Sequence, residues 1–207
     1  MVAVAEARGA TPLEGDGRRL LVIQGNPKRT SFCQSLADAY VQGAQASGQV
    51  VRQLKLAEAQ FDPVLREGYD LSQTLEPDLL EAQRQIHWAE HLVFIYPVWW
   101  NGLPALLAGF LERVLQPGFA FAQRDQTWGG EPLLAGRSAE LLVTSDTPPS
   151  PWQRLRNQAP HRQGIQEGLE ACGIQVLQVH EYSPVRAADE EQRLRWLQEV
   201  ERLGRNE

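Results

Sequence analysis

Short unbroken hydrophobic runs alternate along this chain with stretches whose apolar residues recur at helical spacing. Leu20-Leu-Val-Ile23 is a compact buried-strand signal that ends at Gly25. Ser31 to about Ala46 predicts a helix, closed by Gly48 just past its end. Val50 to Leu56 is the next strand, followed by a long polar connection containing Phe61-Asp-Pro-Val-Leu65. From Asp78 to Ala89 the residues Leu79, Ala82, Ile86 and Ala89 form a helical stripe, with Pro77 placed for the first turn. Every residue of Leu92-Val-Phe-Ile-Tyr96 is apolar or aromatic, as suits a central parallel strand covered on both faces. Leu103 to Leu115 predicts a helix with Pro104 near its start, Ala139 to Thr144 a fourth strand, and Ile165 to Cys172 part of a helix ending at Gly173. Ile174 to Tyr182 alternates only in part, and its Gln175, Gln178, His180 and Glu181 mark it as a sheet edge. Leu194, Leu197, Val200 and Leu203 trace a final amphipathic helix.

Repeated strand–helix units force parallel strands joined by right-handed crossovers. The expected fold is therefore α/β: a doubly wound sheet of five parallel strands in the order 2-1-3-4-5, with helices on both faces. Ligands in such sheets sit beyond the carboxyl ends of the central strands. That geometry directs attention to the loops after Gln24, Tyr96 and Thr144.

One domain over 18–207 accounts for the pattern, preceded by a tail over 1–17 that is expected to be mobile. The tail lacks the basic start and sustained apolar stretch of a secretory signal. A formal charge of −6 argues against a nucleic-acid footprint, and no apolar run approaches the roughly 18–20 residues that cross a bilayer. Cys33 and Cys172 are the only cysteines, without a CxxC or clustered histidines. Neither a disulfide framework nor a metal site is expected, and two reduced thiols in the cytoplasm are.

Gly25-Asn-Pro-Lys-Arg-Thr-Ser31 runs from strand into helix, where unpaired amides bind phosphate well. Lys28 and Arg29 add positive charge, Thr30 and Ser31 add hydroxyls. It is neither GxGxxG nor a Walker loop, and Ser31 with Gln34 also reads as a plain capping box. Pro97-Val-Trp-Trp-Asn-Gly-Leu-Pro104 places two indoles directly after a buried strand. They can wall a heteroaromatic ring, or anchor a core or subunit interface. Thr144-Ser-Asp-Thr-Pro-Pro-Ser-Pro-Trp152 is stiff and rich in hydroxyls, and reads either as a ligand contact or as an ordinary β-to-α connection.

Taken together, Gly25 to Phe32, Phe61 to Leu65, Pro97 to Val114 and Pro117-Gly-Phe-Ala-Phe121 resemble the NAD(P)H:quinone oxidoreductase family of flavodoxin-like flavoproteins, over about Leu20 to Glu181. The resemblance implies that Asn26, Arg29, Ser31, Phe32 and Cys33 surround the flavin phosphate and ribityl chain. It implies that Pro97, Val98, Trp99, Trp100 and Asn101 line the isoalloxazine, with Thr144, Ser145 and Asp146 on its pyrimidine side. Better-known relatives carry a Gly-Gly turn there, with a Tyr and a His that assist hydride transfer. Here Asp146-Thr-Pro-Pro149 stands instead, and Trp152 and His161 are the nearest catalytic candidates.

The implied cofactor is FAD or FMN, with a slight edge to FAD, and NAD(P)H is the co-substrate. The implied activity is ping-pong hydride transfer to a quinone or similar flat acceptor by a homodimer carrying the flavin at its interface. The alternative is a flavoprotein electron carrier, or a redox-sensing regulatory subunit of an ion-transport system.

Overall fold

The structure is a computed structural model that describes residues 17–69, 73–122, 130–146 and 160–206, without the side chains of 160–162. The expected tail thus lies outside the described residues except for Gly17. In chain order the elements are β1 (Arg19–Gln24), α1 (Phe32–Ala46), β2 (Val50–Lys55), α2 (Pro77–Trp88), β3 (His91–Pro97), α3 (Ala105–Val114), β4 (Arg137–Thr144), α4 (Pro160–Ala171), β5 (Ile174–Tyr182) and α5 (Glu190–Arg205). All four strand pairs are parallel, and the order is β2-β1-β3-β4-β5, as the alternation of elements predicts.

Each face of the sheet has its own core. Leu92, Phe94 and Tyr96 of β3 join α2, α3 and α4, while Val93 and Ile95 join α1 and α5. This is the period-2 alternation of a strand, with both faces apolar because helices cover both. β5 lies at an edge, and Leu177 there is half exposed. The helices α1 and α5 meet through glycines: a Cβ on Gly43 would fall 1.9 Å from the Glu201 carbonyl oxygen, and one on Gly204 2.2 Å from that of Tyr40. α1 ends at Gly48 in the left-handed region (φ +85°), where the Gly48 amide donates to Gln45 and the Gln49 amide to Ala44. These paired bonds satisfy carbonyls that the helix end would otherwise orphan.

Two polar devices lie inside this apolar frame. Arg113 of α3 is fully buried and donates to the Asp62 and Thr74 carbonyls and to the Glu76 carboxylate, at 2.8 Å from Oε2. It straps the β2–α2 connection across α3, and a Cβ on Gly109 would lie 2.3 Å from the Pro63 carbonyl oxygen. On the opposite face Glu140 of β4, 3% exposed, lies between His180 Nε2 at 3.3 Å and His91 Nε2 at 3.7 Å. His91 Nδ1 in turn meets Ser138 Oγ at 2.8 Å.

Burial alone would raise the pKa of Glu140, but hydrogen bonds from His180, His91 and Tyr40 outweigh it and hold the carboxyl down at about 2. The folded pKa is depressed, so this stabilisation is complete above the unfolded value near 4.5 and fades as the pH falls toward about 2. Urea unfolding should therefore show Glu140→Gln less stable than wild type at neutral pH, with the gap closing progressively below pH 4.5. A gap of constant size across that range would show that the charge of Glu140 contributes nothing.

Candidate functional site

The carboxyl ends of β1, β3 and β4 converge, and the residue that joins them is Thr144. Its carbonyl accepts from the Val98 amide at 2.8 Å, tying the third loop to the second. Its hydroxyl lies 3.3 Å from Cys33 Sγ, tying it to the first turn of α1. The first loop is tied in separately, because the Gly25 amide donates to the Ile95 carbonyl at 2.8 Å. Gly25 also leaves room for α3, since a Cβ there would come within 2.8 Å of the Leu107 side chain.

In the first loop Asn26 is buried, and its Oδ1 accepts from the Lys28 amide at 2.9 Å, shaping the turn. Lys28, Arg29 and Thr30 are exposed. Ser31 is the N-cap of α1, its backbone extended and its Oγ accepting from the Gln34 amide at 3.4 Å. Only half of a capping box forms, because the Gln34 side chain turns to Asp38 at 2.7 Å instead of returning to Ser31. The Gln34 and Ser35 amides both donate to the Ser31 carbonyl, which leaves the Phe32 and Cys33 amides of the first turn for this edge, in the loop that carries Lys28 and Arg29. Cys33 is buried; burial pushes its thiol pKa up against the lowering effect of Thr144 and Asn26. A thiol raised in this way stays protonated at neutral pH, and Cys33 spaces the first turn of α1 from Thr144. The ring of Phe32 lies 5.9 Å from that of Trp196 in α5, so its side chain packs between helices rather than along the loop.

The second loop is a tight hairpin. Trp99 and Gly102 exchange both backbone hydrogen bonds (3.1 and 2.9 Å), and Trp100 and Asn101 between them both have positive φ, 51° and 59°. Two left-handed central residues are the signature of a type I′ turn. Asn suits that conformation, and Trp does not. Trp99 is half exposed and Trp100 fully exposed, so neither indole is a core anchor of the chain. Pro97 ends β3, buried, with Val98 partly buried behind the hairpin.

In the third loop Thr144 is 5% exposed and Asp146 is at the surface. Ser145 Oγ donates to Ser183 Oγ at 2.9 Å, its amide to the Tyr182 carbonyl, and its carbonyl accepts from Val185. The Asp146 carboxylate accepts from the Arg186 amide at 2.7 Å and pairs with the Arg186 guanidinium at 3.3 Å. A fourth segment, Ser183 to Arg186, thus belongs to this edge. It carries no motif of its own, and its signal in the sequence is its place directly after the carboxyl end of β5, where strand polarity puts it at this edge. Trp152 and the rest of the Asp146–Pro149 turn lie outside the described residues. His161 falls in the first turn of α4, and its side chain also lies outside them.

The left-handed backbone costs a side-chain-bearing residue roughly 1–2 kcal/mol, and the exposed Trp100 has no packing among the described residues to offset it. Trp100→Gly is expected to stabilise the ligand-free protein by about 0.5–1 kcal/mol once the entropy of the unfolded glycine is counted, raising Tm by roughly 2 °C. A fall in Tm on thermal unfolding would mean that the indole supports the fold.

A family model described as flavodoxin-like fold matches residues 18–203. The chain is 30% identical over 186 residues to NAD(P)H dehydrogenase [quinone] 1 of Cavia porcellus, covering 78% of this chain and 66% of that protein. It is 27% identical to an uncharacterized NAD(P)H oxidoreductase of Haemophilus influenzae, over 84% of this chain and 87% of that one. Against three of the curated relatives the match spans only 29%, 66% and 45% of the relative's length. Among solved structures, Smu.1420 from Streptococcus mutans UA159 superposes with a TM-score of 0.75 at 26% identity, covering 91% of this chain and all of that one.

Proposed function

Because the chain belongs to the flavodoxin-like fold family, we propose on that footing that it is a flavin-dependent NAD(P)H oxidoreductase that passes electrons by ping-pong turnover to a quinone or similar flat acceptor. The observation that carries this reading is the convergence on Thr144 of a helix N-terminus, an indole-bearing hairpin and a hydroxyl-rich turn. A ligand with a phosphate at one end and a flat heteroaromatic ring at the other matches that order of groups. The relatives named as NAD(P)H oxidoreductases support the nicotinamide half of the reading.

When bound, the flavin supplies hydride acceptance from NAD(P)H and delivery of the electron pair to the acceptor, chemistry that side chains lack. FMN and FAD both fit a phosphate site built from the α1 amides, Lys28, Arg29, Thr30 and Ser31. Main-chain groups from Pro97 to Asn101 would orient the ring, and the indoles of Trp99 and Trp100 would wall it and exclude water. On its pyrimidine side the Thr144 hydroxyl, which can accept from the Cys33 thiol and donate its own proton, would stabilise negative charge, beside Ser145, whose amide and hydroxyl already donate to Tyr182 and Ser183. No buried acid–base pair opens onto this edge among the described residues, and hydride transfer requires none. The full exposure of Trp100 in the single chain supports a homodimer in which this hairpin is covered.

The test is anaerobic rapid mixing of the flavin-loaded protein with NADH and, separately, NADPH. At least one should bleach the visible flavin absorbance before any acceptor is added, and a quinone should then restore it. Flavin that stays oxidised for minutes with both nicotinamides would overturn the proposal.

A further inference from the structure

Asp146 presents an electrostatic problem at the carboxyl edge. It follows Thr144 and Ser145 directly in the chain, so the loop assigned to the negatively charged side of the ligand itself carries a carboxylate. A second negative charge there opposes the charge that a flavin ring acquires when it is reduced. The structure answers this with Arg186. Its amide donates to Asp146 Oδ1 at 2.7 Å, and its guanidinium Nε lies 3.3 Å from Oδ2. The carboxylate is thus held at both oxygens by one residue, once through the backbone and once through a charge.

The segment that carries Arg186 is itself fixed to the third loop. Ser145 bonds Tyr182, Ser183 and Val185, and the Val185 carbonyl accepts from Arg193 Nη2 of α5 at 2.9 Å. Arg186 does not reach Asp146 by a swing of a free loop; the two are brought together by a short ladder of backbone contacts. The Arg186 side chain is 90% exposed and that of Asp146 49%. A pair this open contributes little to folding stability.

We propose that Arg186 is a charge-compensating residue that acts through Asp146: it cancels the carboxylate beside the flavin site and thereby keeps the reduced form of the cofactor well bound. The proposal rests on the flavin reading of this edge and adds a residue and a purpose to it. Arg186 itself touches no reacting atom.

The experiment compares the dissociation constants of oxidised and chemically reduced FMN and FAD, under argon, for wild type, Arg186→Gln, Arg186→Lys and the double variant Asp146→Asn with Arg186→Gln. Arg186→Gln is expected to weaken binding of the reduced form about tenfold relative to the oxidised form, from one uncompensated charge at a partly exposed site. For a two-electron couple that ratio corresponds to a potential lower by about 30 mV. Arg186→Lys should stay close to wild type, and the double variant should return to within about twofold of it. The effect should also shrink at 1 M salt, where screening reaches down to about 3 Å.

An unchanged ratio in Arg186→Gln would overturn the proposal. So would a shift that persists in the double variant, or equal weakening of both forms, which would mean that Arg186 only shapes the loop. Wild-type protein that binds neither FMN nor FAD would instead remove the flavin reading itself, a separate result visible before any variant is made.

Discussion

Thr144 is the point on which the carboxyl edge depends. It is the last residue of a buried central strand, so its backbone is held by pairing with Pro97 and Tyr182 on its two sides. Its carbonyl and hydroxyl are then the polar groups left to reach past the sheet, and they meet the second loop and the first turn of α1. A threonine serves both tasks, being β-branched enough for a strand and small enough to let Cys33 approach. The third loop is therefore tied to the second and to the first turn of α1 by one strand end, and the first loop is tied in by the Gly25 bond to β3.

Around that point the molecule divides its labour. Apolar cores on both faces hold the sheet, and the glycine contacts between α1 and α5 lock α1 in place, so that its N-terminus keeps its aim. The fully buried Arg113 straps the β2–α2 connection over α3, the helix that the hairpin leads into. Burying a guanidinium is costly unless its donors are met, and here two carbonyls and a carboxylate meet Nη1 and Nη2, while Nε has no partner among the described residues. Against this rigid support the hairpin holds Trp100 in a backbone conformation that tryptophan disfavours, with its indole in solvent. Strain and exposure at the same residue fit a role in binding better than a role in folding.

The strands and their order were legible in the sequence because continuous apolar runs leave few ways to be buried. Leu92 to Tyr96 could only be central, and the strand–helix alternation then set the parallel order. The start of α4 was less legible, since Pro160 to Gly164 carry no apolar stripe and the helix extends five residues ahead of Ile165. The same holds for α3, where Leu103 and Pro104 belong to the loop because Pro104 is the extended N-cap.

Within the site, loop positions followed from strand polarity, but partners did not. Asp146 reads as a ligand contact, and nothing near it in the sequence shows that Arg186, forty residues on, holds its carboxylate. Phe32 reads as part of the phosphate loop, and nothing near it in the sequence shows that its ring packs on Trp196. Arg113, Glu140 and His91 carry no sequence signal at all, because a buried charge is recognisable only by its distant partners. Trp100 and Asn101 were nearer to legible, since Asn-Gly favours tight hairpins, yet the turn sits on Trp-Asn one position earlier.

The central claim, that these three loops form one flavin site, is tested most directly by amide hydrogen exchange with and without saturating FMN or FAD. Slowed exchange is expected together at 25–33, 97–102 and 144–146, with the sheet's amino end unchanged. Protection at only one of these loops, or protection confined to another part of the molecule, would contradict it.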